Sequence, residues 1–383
     1  MFVGITNTPR DYAWGSRSAI AELLDRKPSG GPEAEYWLGT HPGSPSVLTG
    51  PSATDAGVHL AGSPLSGLTT LPFLLKVLAA ASPLSLQAHP TTAQAVAGFA
   101  RENAEGIPLD APNRNYKDAA HKPDLIYALS AEFAALCGFR PVAETRTLLS
   151  ALGPDRLVAD LVARLADDAA LRPVFEWLIT RSPGVEDLIA RVVELAALRA
   201  EPEFAMVGDL AAAYPGDPGI VIALLLNRVV LRPGQALYLP AGNIHAYLSG
   251  LGIELMAASD NVLRGGLTPK HVDVAELLRV LDFRPSPVPL LSPAHPTAGV
   301  EEFRPDVPDF ELVVVRPETT SARFTPPGES ILLCTEGSID VRGALSETHL
   351  NRGESVYVTA DEGELAFTGS GTIFVATTNP SGA

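Results

Sequence analysis

Residues 141–217 form a block of helical periodicity inside a chain that is otherwise built of short, strand-like segments. Leu157, Leu161 and Leu165 recur every four residues, a spacing that places them on one face of a helix. Before and after this block, short apolar runs alternate with Gly and Pro turns, as expected for β-strands. The sequence therefore predicts a mainly β protein with a helical insertion domain at 141–217.

The insertion divides the first predicted β domain into two pieces, residues 1–140 and 218–284. A Pro-rich stretch that is typical of a linker follows, and a C-terminal β domain is predicted over residues 300–383. The segments RPGQALYLPA and NRGESVYVTA repeat a Gly turn that leads into an alternating strand, which favours two related β-barrels. Glu364 takes the place that His245 has in the first copy, so we expect no metal in the second barrel.

The charge balance excludes several classes of partner. The formal net charge is −16, whereas binding to nucleic acid or to an anionic membrane needs a basic face. No apolar run reaches the ~18 residues of a membrane-spanning helix, and we expect neither a signal peptide nor a membrane partner. Cys137 and Cys334 stand in no CxxC pattern, which is typical of a reducing compartment. We therefore expect a cytoplasmic protein.

The segment SPLSLQAHPT, residues 82–91, follows a very apolar run and is predicted to be a buried strand. Gln87 and His89 are two residues apart in it, so in a strand both side chains face the same way. Hydrogen bonding in the core is the ordinary role of such residues, and only additional ligands make a metal site the better interpretation.

Two further motifs supply such ligands. GQALYLPAGNIH resembles the second motif of the cupin superfamily, in which the His binds a metal at the mouth of a small β-barrel. NYKDAAHKPD places His121, Lys122 and Asp124 ahead of an apolar run, where Asp124 could also act as a simple cap. Nitrogen and oxygen ligands without a thiolate suit Zn²⁺, Mn²⁺ or Fe²⁺. The candidate ligands are an amide oxygen, two imidazoles and a carboxylate: Gln87, His89, His245 and Asp124.

Five motifs taken together resemble the type I mannose-6-phosphate isomerase family, and they occur here in the family's order. They are YAWGS, PFLLKVLAAASPLSLQAHP, NYKDAAHKPD, PAGNIHAYL and SDNVLRGGLTPKH. The resemblance implies two cupin-like β-barrel (jelly-roll) domains plus a helical domain, with the discontinuous first domain catalytic. It also implies interconversion of mannose 6-phosphate and fructose 6-phosphate with one Zn²⁺ per subunit, and a catalytic role for Arg264. Two positions depart from the family's pattern, since Asp124 replaces the usual Glu and RGGLTPK replaces RAGLTPK.

The implied reaction moves a proton between C2 and C1 of the sugar through a cis-enediol, which a bound Zn²⁺ would stabilise as a Lewis acid. His121 and Lys122 are both candidates for the base that carries the proton, and Arg264 could stabilise developing negative charge. Ser85 and Lys270 are candidate ligands of the phosphate. Lys270 lies near a predicted helix start with Thr268 as its N-cap, whose backbone N–H groups would suit an anion.

Lys76 and Glu254 are charged residues inside apolar runs, where a buried charge needs a partner. Each belongs either to a structural salt bridge or to the site, and for Glu254 we favour contact with the substrate.

Two other functional classes share part of the pattern. Two histidines and a carboxylate, here His89, His245 and Asp124, are also the ligand set of non-haem iron oxygenases. Gln87 and the basic residues argue against that class, because an oxygenase needs open iron positions and no phosphate clamp. A non-catalytic sugar-binding cupin could dispense with Arg264 and the metal ligands. We expect a monomeric enzyme whose partner is a small sugar phosphate.

Overall fold

The computed structural model describes residues 1–54, 57–317 and 321–382. Within these residues the chain forms nine α-helices and 21 β-strands. The helices are α1 (Ala19–Leu23), α2 (Thr92–Ala104), α3 (Val142–Ser150), α4 (Arg156–Arg164), α5 (Leu171–Ile179), α6 (Val185–Ala196), α7 (Pro202–Ala213), α8 (Gly219–Ile222) and α9 (Val274–Val280). The strands of the first half are β1 (Phe2–Thr6), β2 (Glu35–Leu38), β3 (Val47–Leu48), β4 (Ser52–Thr54), β5 (Gly57–His59), β6 (Phe73–Ala80), β7 (Gln87–Ala88), β8 (Asp124–Ala128) and β9 (Phe133–Phe139). Those of the second half are β10 (Leu226–Leu231), β11 (Ala236–Leu239), β12 (His245–Ala257), β13 (Leu263–Arg264), β14 (Leu290–Leu291), β15 (Val300–Phe303), β16 (Glu311–Val315), β17 (Ala322–Phe324), β18 (Ser330–Arg342), β19 (Glu347–Asn351), β20 (Ser355–Val358) and β21 (Leu365–Thr377).

Two large antiparallel sheets carry the fold. The first sheet runs β10-β9-β12-β8-β11-β14, with β6 and β7 also paired to β12, β2 paired to β6 and β13 paired to β7. The second sheet runs β15-β16-β21-β18-β20-β1-β3, with β17 paired to β21 and β19 to β18. The mainly β fold class with helices is confirmed. Among the described residues, no strand pairing closes either sheet into a ring, so these are open sheets rather than closed barrels.

Strand β12 bends and thereby serves both halves of the first sheet. Its first residues pair with β7 and β9, whereas the residues from Gly250 onward pair with β6 and β8. Gly250 has a φ of +128°, and a Cβ there would lie 2.7 Å from the ring of Phe133. Only glycine fits both constraints. The bend brings side chains of β7, β8 and β12 toward a common space, where the candidate site lies.

The predicted helical insertion is present. Helices α3 to α7 all lie between residues 141 and 217. On the predicted apolar stripe, Leu161 and Leu165 are buried and Leu157 is partly buried. The helices pack against one face of the first sheet in a shared core that includes Leu136 and Phe139 of β9. Burial of this face is the main source of helix stability.

The first strand does not belong to the sheet that its position in the sequence suggests. Strand β1 pairs with β20 in the second sheet, and β14 adds an edge to the first sheet from within the predicted linker. The two sheets also share a core, because the ring of Tyr127 lies 5.4 Å from that of Phe303 and 5.2 Å from that of Phe374. Within the described residues, we find no helix with the length and apolar character needed to cross a bilayer.

Two local predictions were wrong. Only Gln87–Ala88 of the segment 82–91 is a strand. The helix expected to start at Thr268 starts at Val274, because the Asp273 carboxylate accepts a hydrogen bond from the backbone N–H of Glu276 (3.0 Å) and caps it. Thr268 instead accepts a hydrogen bond from the backbone N–H of Lys270 in a local turn. The backbone N–H donors of a helix end are therefore not available beside Lys270.

Candidate active site

A cavity of about 180 Å³ lies between the two halves of the first sheet. Six of the residues discussed above line it: Lys76, Gln87, Lys122, Asp124, His245 and Glu254. Of the other predicted site residues, His89 lies directly behind the lining, bonded to Lys122 and Asp124. Most of the polar residues that the sequence singles out therefore converge on one space.

Three candidate metal ligands are brought together. Ligand atoms of His89, Asp124 and His245 all lie within 4.8 Å of one another, and all three residues are buried. Nε2 of His89 is 3.0 Å from Oδ2 of Asp124, and Nε2 of His245 is 3.9 Å from the same oxygen. Two imidazoles and a carboxylate in such a cluster can hold a divalent cation.

Backbone carbonyl groups orient both imidazoles. Nδ1 of His89 donates to the carbonyl oxygen of Asn261 (2.7 Å), and Nδ1 of His245 donates to that of Asn243 (3.1 Å). Each bond occupies one ring nitrogen and leaves Nε2 facing Asp124. Outer-shell bonds of this kind select the tautomer that can ligate a metal.

The electrostatics keep the cluster in its ligating form. Burial, followed by the nearby His89, lowers the pKa of His245 to about 3, and burial likewise lowers the pKa of His89. For Asp124, burial opposes ionisation, but the Lys122 ammonium and the imidazoles outweigh it and hold the pKa well below its ordinary value. Neutral imidazoles and an ionised carboxylate are the forms that bind metals.

Gln87 lies next to this cluster. It pairs in register with His245 across β7 and β12, so the two side chains leave the sheet side by side. Its amide nitrogen donates to the hydroxyl of Ser85 (3.3 Å), which leaves the amide oxygen as the atom that can face a cation.

The two candidates for the proton-carrying base lie in different places. Lys122 is buried beside the cluster, with Nζ 3.3 Å from Nε2 of His89 and 3.4 Å from Oδ2 of Asp124. His121 points to the second sheet, where its Nε2 lies 2.8 Å from Oδ2 of Asp309, and it is not among the residues that line the cavity. The structure therefore places Lys122, and not His121, at the site.

Arg264 and Lys270, two further predicted site residues, are not among the residues that line the cavity. Arg264 lies on β13, where it pairs in register with Gln87 of β7. It is half-buried, and burial lowers its pKa. Burial, followed by the positive charge of Arg264, lowers the pKa of Lys270. Among the described residues neither has a carboxylate partner within salt-bridge distance. Two cations of this kind are suited to an anionic ligand.

Lys76 and Glu254 form a buried ion pair with each other and also line the cavity. The sequence had left open whether each belongs to a structural salt bridge or to the site. Nζ of Lys76 lies 2.9 Å from Glu254 and 3.4 Å from Glu35, and it lies over the ring of Trp37. Burial opposes the charge on Lys76, but the two carboxylates raise its pKa well above the ordinary value. Burial raises the pKa of Glu254, against the effect of the Lys76 ammonium.

Several cavity residues were not predicted from the sequence. Tyr247 follows His245 by two residues on β12, and its buried hydroxyl makes no hydrogen bond of ordinary length among the described residues, although burial and then the nearby Glu254 raise its pKa well above the ordinary value. Asp260 also lines the cavity, and Nε2 of His41 lies 3.4 Å from its carboxylate. The alternation of β12 could have indicated Tyr247, since residues two apart share a face. No local signal connects His41 with Asp260, which are 219 positions apart in the sequence.

Known proteins resemble this chain in sequence. A model of the phosphomannose isomerase type I catalytic domain matches residues 2–142. The mannose-6-phosphate isomerase of Salmonella typhimurium is 36% identical over 381 residues, which cover 96% of this chain and 97% of the relative. The human mannose-6-phosphate isomerase is 32% identical, with 92% of each chain covered.

A solved structure shows the same fold. It is the mannose 6-phosphate isomerase of Salmonella typhimurium bound to its substrate, fructose 6-phosphate, and to zinc, and it superimposes with a TM-score of 0.87 at 33% identity over 99% of both chains. The relatives match the present chain along nearly its whole length, through both sheets and the helical insertion. The chain therefore belongs to the type I phosphomannose isomerase family, and it is an isomerase.

Proposed function

We propose that the protein interconverts mannose 6-phosphate and fructose 6-phosphate in this cavity with one bound Zn²⁺. The observation that carries the proposal is the buried cluster of His89, Asp124 and His245, whose ligand atoms lie within 4.8 Å of one another beside the cavity. The sugar phosphates are those that the names of the relatives specify. Gln87 is proposed as the fourth ligand.

The residues fit a metal for a reason internal to the structure. Oδ1 of Asp124 is buried and has no hydrogen-bond partner among the described residues. An unsatisfied buried carboxylate oxygen costs free energy of about 1–3 kcal/mol or more, and a cation at the cluster would satisfy it. The donor set lacks a thiolate and includes two neutral imidazoles, which suits Zn²⁺ in a catalytic site. When bound, the ion would act as a Lewis acid toward the oxygens of the substrate.

Lys122 is the proposed proton carrier. Isomerisation through a cis-enediol requires one group that moves a proton between C1 and C2, and that group must reach the reacting atoms. Lys122 lines the cavity next to the proposed metal ligands, whereas His121 is bonded to Asp309. The placement supports Lys122 in the catalytic role and gives His121 a supporting one.

The phosphate is proposed to bind to Arg264 and Lys270, with Ser85 as a hydroxyl donor. Neither cation has a carboxylate partner within salt-bridge distance in the described part of the chain, and the positive charge of Arg264 acts on Lys270. Arg264 is beside Gln87, so it could also stabilise charge that develops on the substrate. Glu254, held by Lys76 at the wall of the cavity, is proposed to accept hydrogen bonds from sugar hydroxyls.

We expect Tyr247→Phe to weaken substrate binding without weakening the fold. The hydroxyl makes no hydrogen bond of ordinary length in the described residues and has only Glu254 near it, so its loss should change the free energy of unfolding by no more than ~1 kcal/mol. The ring would keep its contact with Phe133, 5.3 Å away. If the hydroxyl bonds the sugar, KM for mannose 6-phosphate should rise about tenfold.

The matched control is Tyr214→Phe, because that hydroxyl donates to the carbonyl oxygen of Pro83 (2.7 Å) outside the cavity. It should lose about 1 kcal/mol of stability with KM unchanged. Urea denaturation and steady-state kinetics measure both quantities. A Tyr247→Phe protein with lower stability and normal KM would assign the hydroxyl to the fold.

The direct test of the function is a coupled assay of fructose 6-phosphate formation on the purified protein, before and after chelation, with metal analysis of the same samples. We expect about one equivalent of zinc per chain, loss of activity with the metal, and recovery on addition of Zn²⁺. A folded, metal-loaded protein without turnover would contradict the isomerase reaction proposed for this cavity. In such an inactive sample, iron would favour the oxygenase alternative, and its absence would favour the sugar-binding cupin.

The division into a first β domain (1–140 with 218–284), a helical insertion (141–217) and a C-terminal β domain (300–383) remains our proposal for the domains. The helices between 141 and 217 support it. The pairing of β1 with β20 suggests that the N-terminal strand should be counted with the C-terminal domain.

A further inference from the structure

The turn that carries Lys122 is tied to the second sheet. Nε2 of His121 lies 2.8 Å from Oδ2 of Asp309, which is 188 residues later in the loop between β15 and β16. The two side chains are only 23% and 20% exposed. This is a link between the second sheet and the residue that precedes Lys122.

We infer that Asp309 is a positioning residue for the isomerisation: it holds His121 and thereby sets the position of the Lys122 ammonium. The inference rests on the proposed function, in which Lys122 carries the proton. It gives the second sheet a direct part in the site, because a carboxylate from that sheet supports a turn of the first.

The Asp309 side of the contact is rigid. The side-chain amide of the buried residue Asn379 donates to the carbonyl oxygens of Pro305 (2.9 Å) and Val307 (3.1 Å). The backbone N–H of Asn379 donates to the carbonyl oxygen of Pro308 (3.0 Å). On the other side of Asp309, the next residue, Phe310, is fully buried in the core that the two sheets share. Asp309 therefore projects from a loop whose backbone is held on both sides.

The inner side of the turn is held separately. The amide nitrogen of Asn261 donates to the carbonyl oxygens of Asp118 (2.9 Å) and Ala120 (2.8 Å). After the turn, the carbonyl oxygen of Pro123 accepts from the backbone N–H of Ala257 (3.2 Å). Between these two anchors, His121 bonds to Asp309 on the outer side, and Lys122 bonds to His89 and Asp124 on the inner side.

Loss of that restraint should displace Lys122 more than the rest of the site. The proposed ligand His89 is oriented by the carbonyl of Asn261, and Asp124 belongs to strand β8, so neither depends on Asp309. A displacement of about 1 Å in a reacting group can cost up to ~10²-fold in rate. The expected effect is therefore on kcat, with substrate and metal binding largely preserved.

The test is Asp309→Asn, which keeps the shape of the side chain and removes its charge. We expect kcat to fall about tenfold with KM within about twofold, and Asp309→Glu to recover part of the loss. On a His121→Ala background, Asp309→Asn should have no further effect, because both changes break the same link. Metal content should stay at the wild-type value, and Tm should fall by no more than about 4 °C.

The control is Arg316→Met. Nη2 of Arg316 donates to the hydroxyl of Tyr127 (2.6 Å), a contact that also joins the two sheets but lies away from the turn. We expect this variant to keep the wild-type kcat. Equal losses of kcat in Arg316→Met and Asp309→Asn would overturn the inference, because the effect would then come from general docking of the sheets.

A second readout does not depend on turnover. Lys122 is only 8% exposed, so an amine-reactive reagent followed by peptide mass spectrometry should label it slowly in the wild type. Asp309→Asn should increase the rate of labelling about tenfold relative to an exposed lysine such as Lys27. Unchanged labelling together with unchanged kcat would overturn the inference. A wild-type protein without turnover would contradict the proposed function, and the labelling would still decide the role of Asp309.

Discussion

His245→Ala is expected to abolish retention of the metal and to lower kcat for mannose 6-phosphate by about 10³-fold. The imidazole is one of two in the cluster, and its Nε2 faces Asp124 at 3.9 Å. A bound cation supplies several kcal/mol of transition-state stabilisation, and each ~1.4 kcal/mol corresponds to a factor of ten in rate. Metal analysis after dialysis measures retention of the metal, and steady-state kinetics of the variant measures kcat.

The matched control for this prediction is His295→Ala, which removes an exposed histidine outside the cavity. It should change neither metal content nor kcat. Circular dichroism should show that both variants are folded, since His245 lies on a strand whose pairing does not depend on its side chain. A His245→Ala protein that keeps its zinc and its activity would remove His245 from the proposed ligands.

Lys76→Met should be the most destabilising of the proposed changes. It would leave two buried carboxylates, Glu254 and Glu35, without the ammonium that lies 2.9 Å and 3.4 Å from them. Removing one partner of a buried ion pair typically costs about 3–5 kcal/mol. Urea denaturation of the wild type and the variant would measure this difference in the free energy of unfolding.

The pH dependence of that loss follows from Glu254. Burial already raises the pKa of this carboxyl above its ordinary value, and loss of Lys76 would raise it further. The folded variant would then bind the Glu254 proton more tightly than the unfolded chain does. The loss of stability caused by Lys76→Met should therefore be smallest below the ordinary pKa of a glutamic acid and should grow as the pH rises. The difference from wild type should therefore be larger at about pH 8 than at about pH 5.

Two further variants check the mechanism of the loss. In Lys76→Met with Glu254→Leu, most of the stability should return, because Glu35 keeps its hydrogen bond from the indole of Trp37 (2.9 Å). Lys27→Met, at an exposed position, should change stability by less than about 0.5 kcal/mol. If the double variant is as unstable as Lys76→Met, the buried charge is not the cause.

Sequence patterns predicted those parts of the protein that depend on local chemistry. Helical spacing predicted the insertion that contains α3 to α7, because burial of one face of a helix imposes a period on the chain. The motif PAGNIHAYL carries its own turn ahead of His245, since Gly242 has the positive φ of +80° that glycine adopts readily. The five motifs quoted in the sequence analysis, of which PAGNIHAYL is one, predicted the family.

Local patterns failed where two signals competed over a few residues. Thr268 and Asp273 can both cap a helix, and the structure uses Asp273, which has Glu276 three residues later. The segment 82–91 forms only a two-residue strand because its neighbours are short at that point. Strand β7 pairs with the first residue of β12 and with the two residues of β13.

Tertiary structure alone decided which distant residues meet. Lys76 meets Glu254 after 178 residues, and His121 meets Asp309 after 188. Strand β1 crosses to the second sheet to pair with β20. The sequence determined by itself which residue types were present and how each local segment tends to fold. It did not determine these contacts, because hydrogen bonds and ion pairs between remote segments depend on how the sheets pack and leave no period in the sequence.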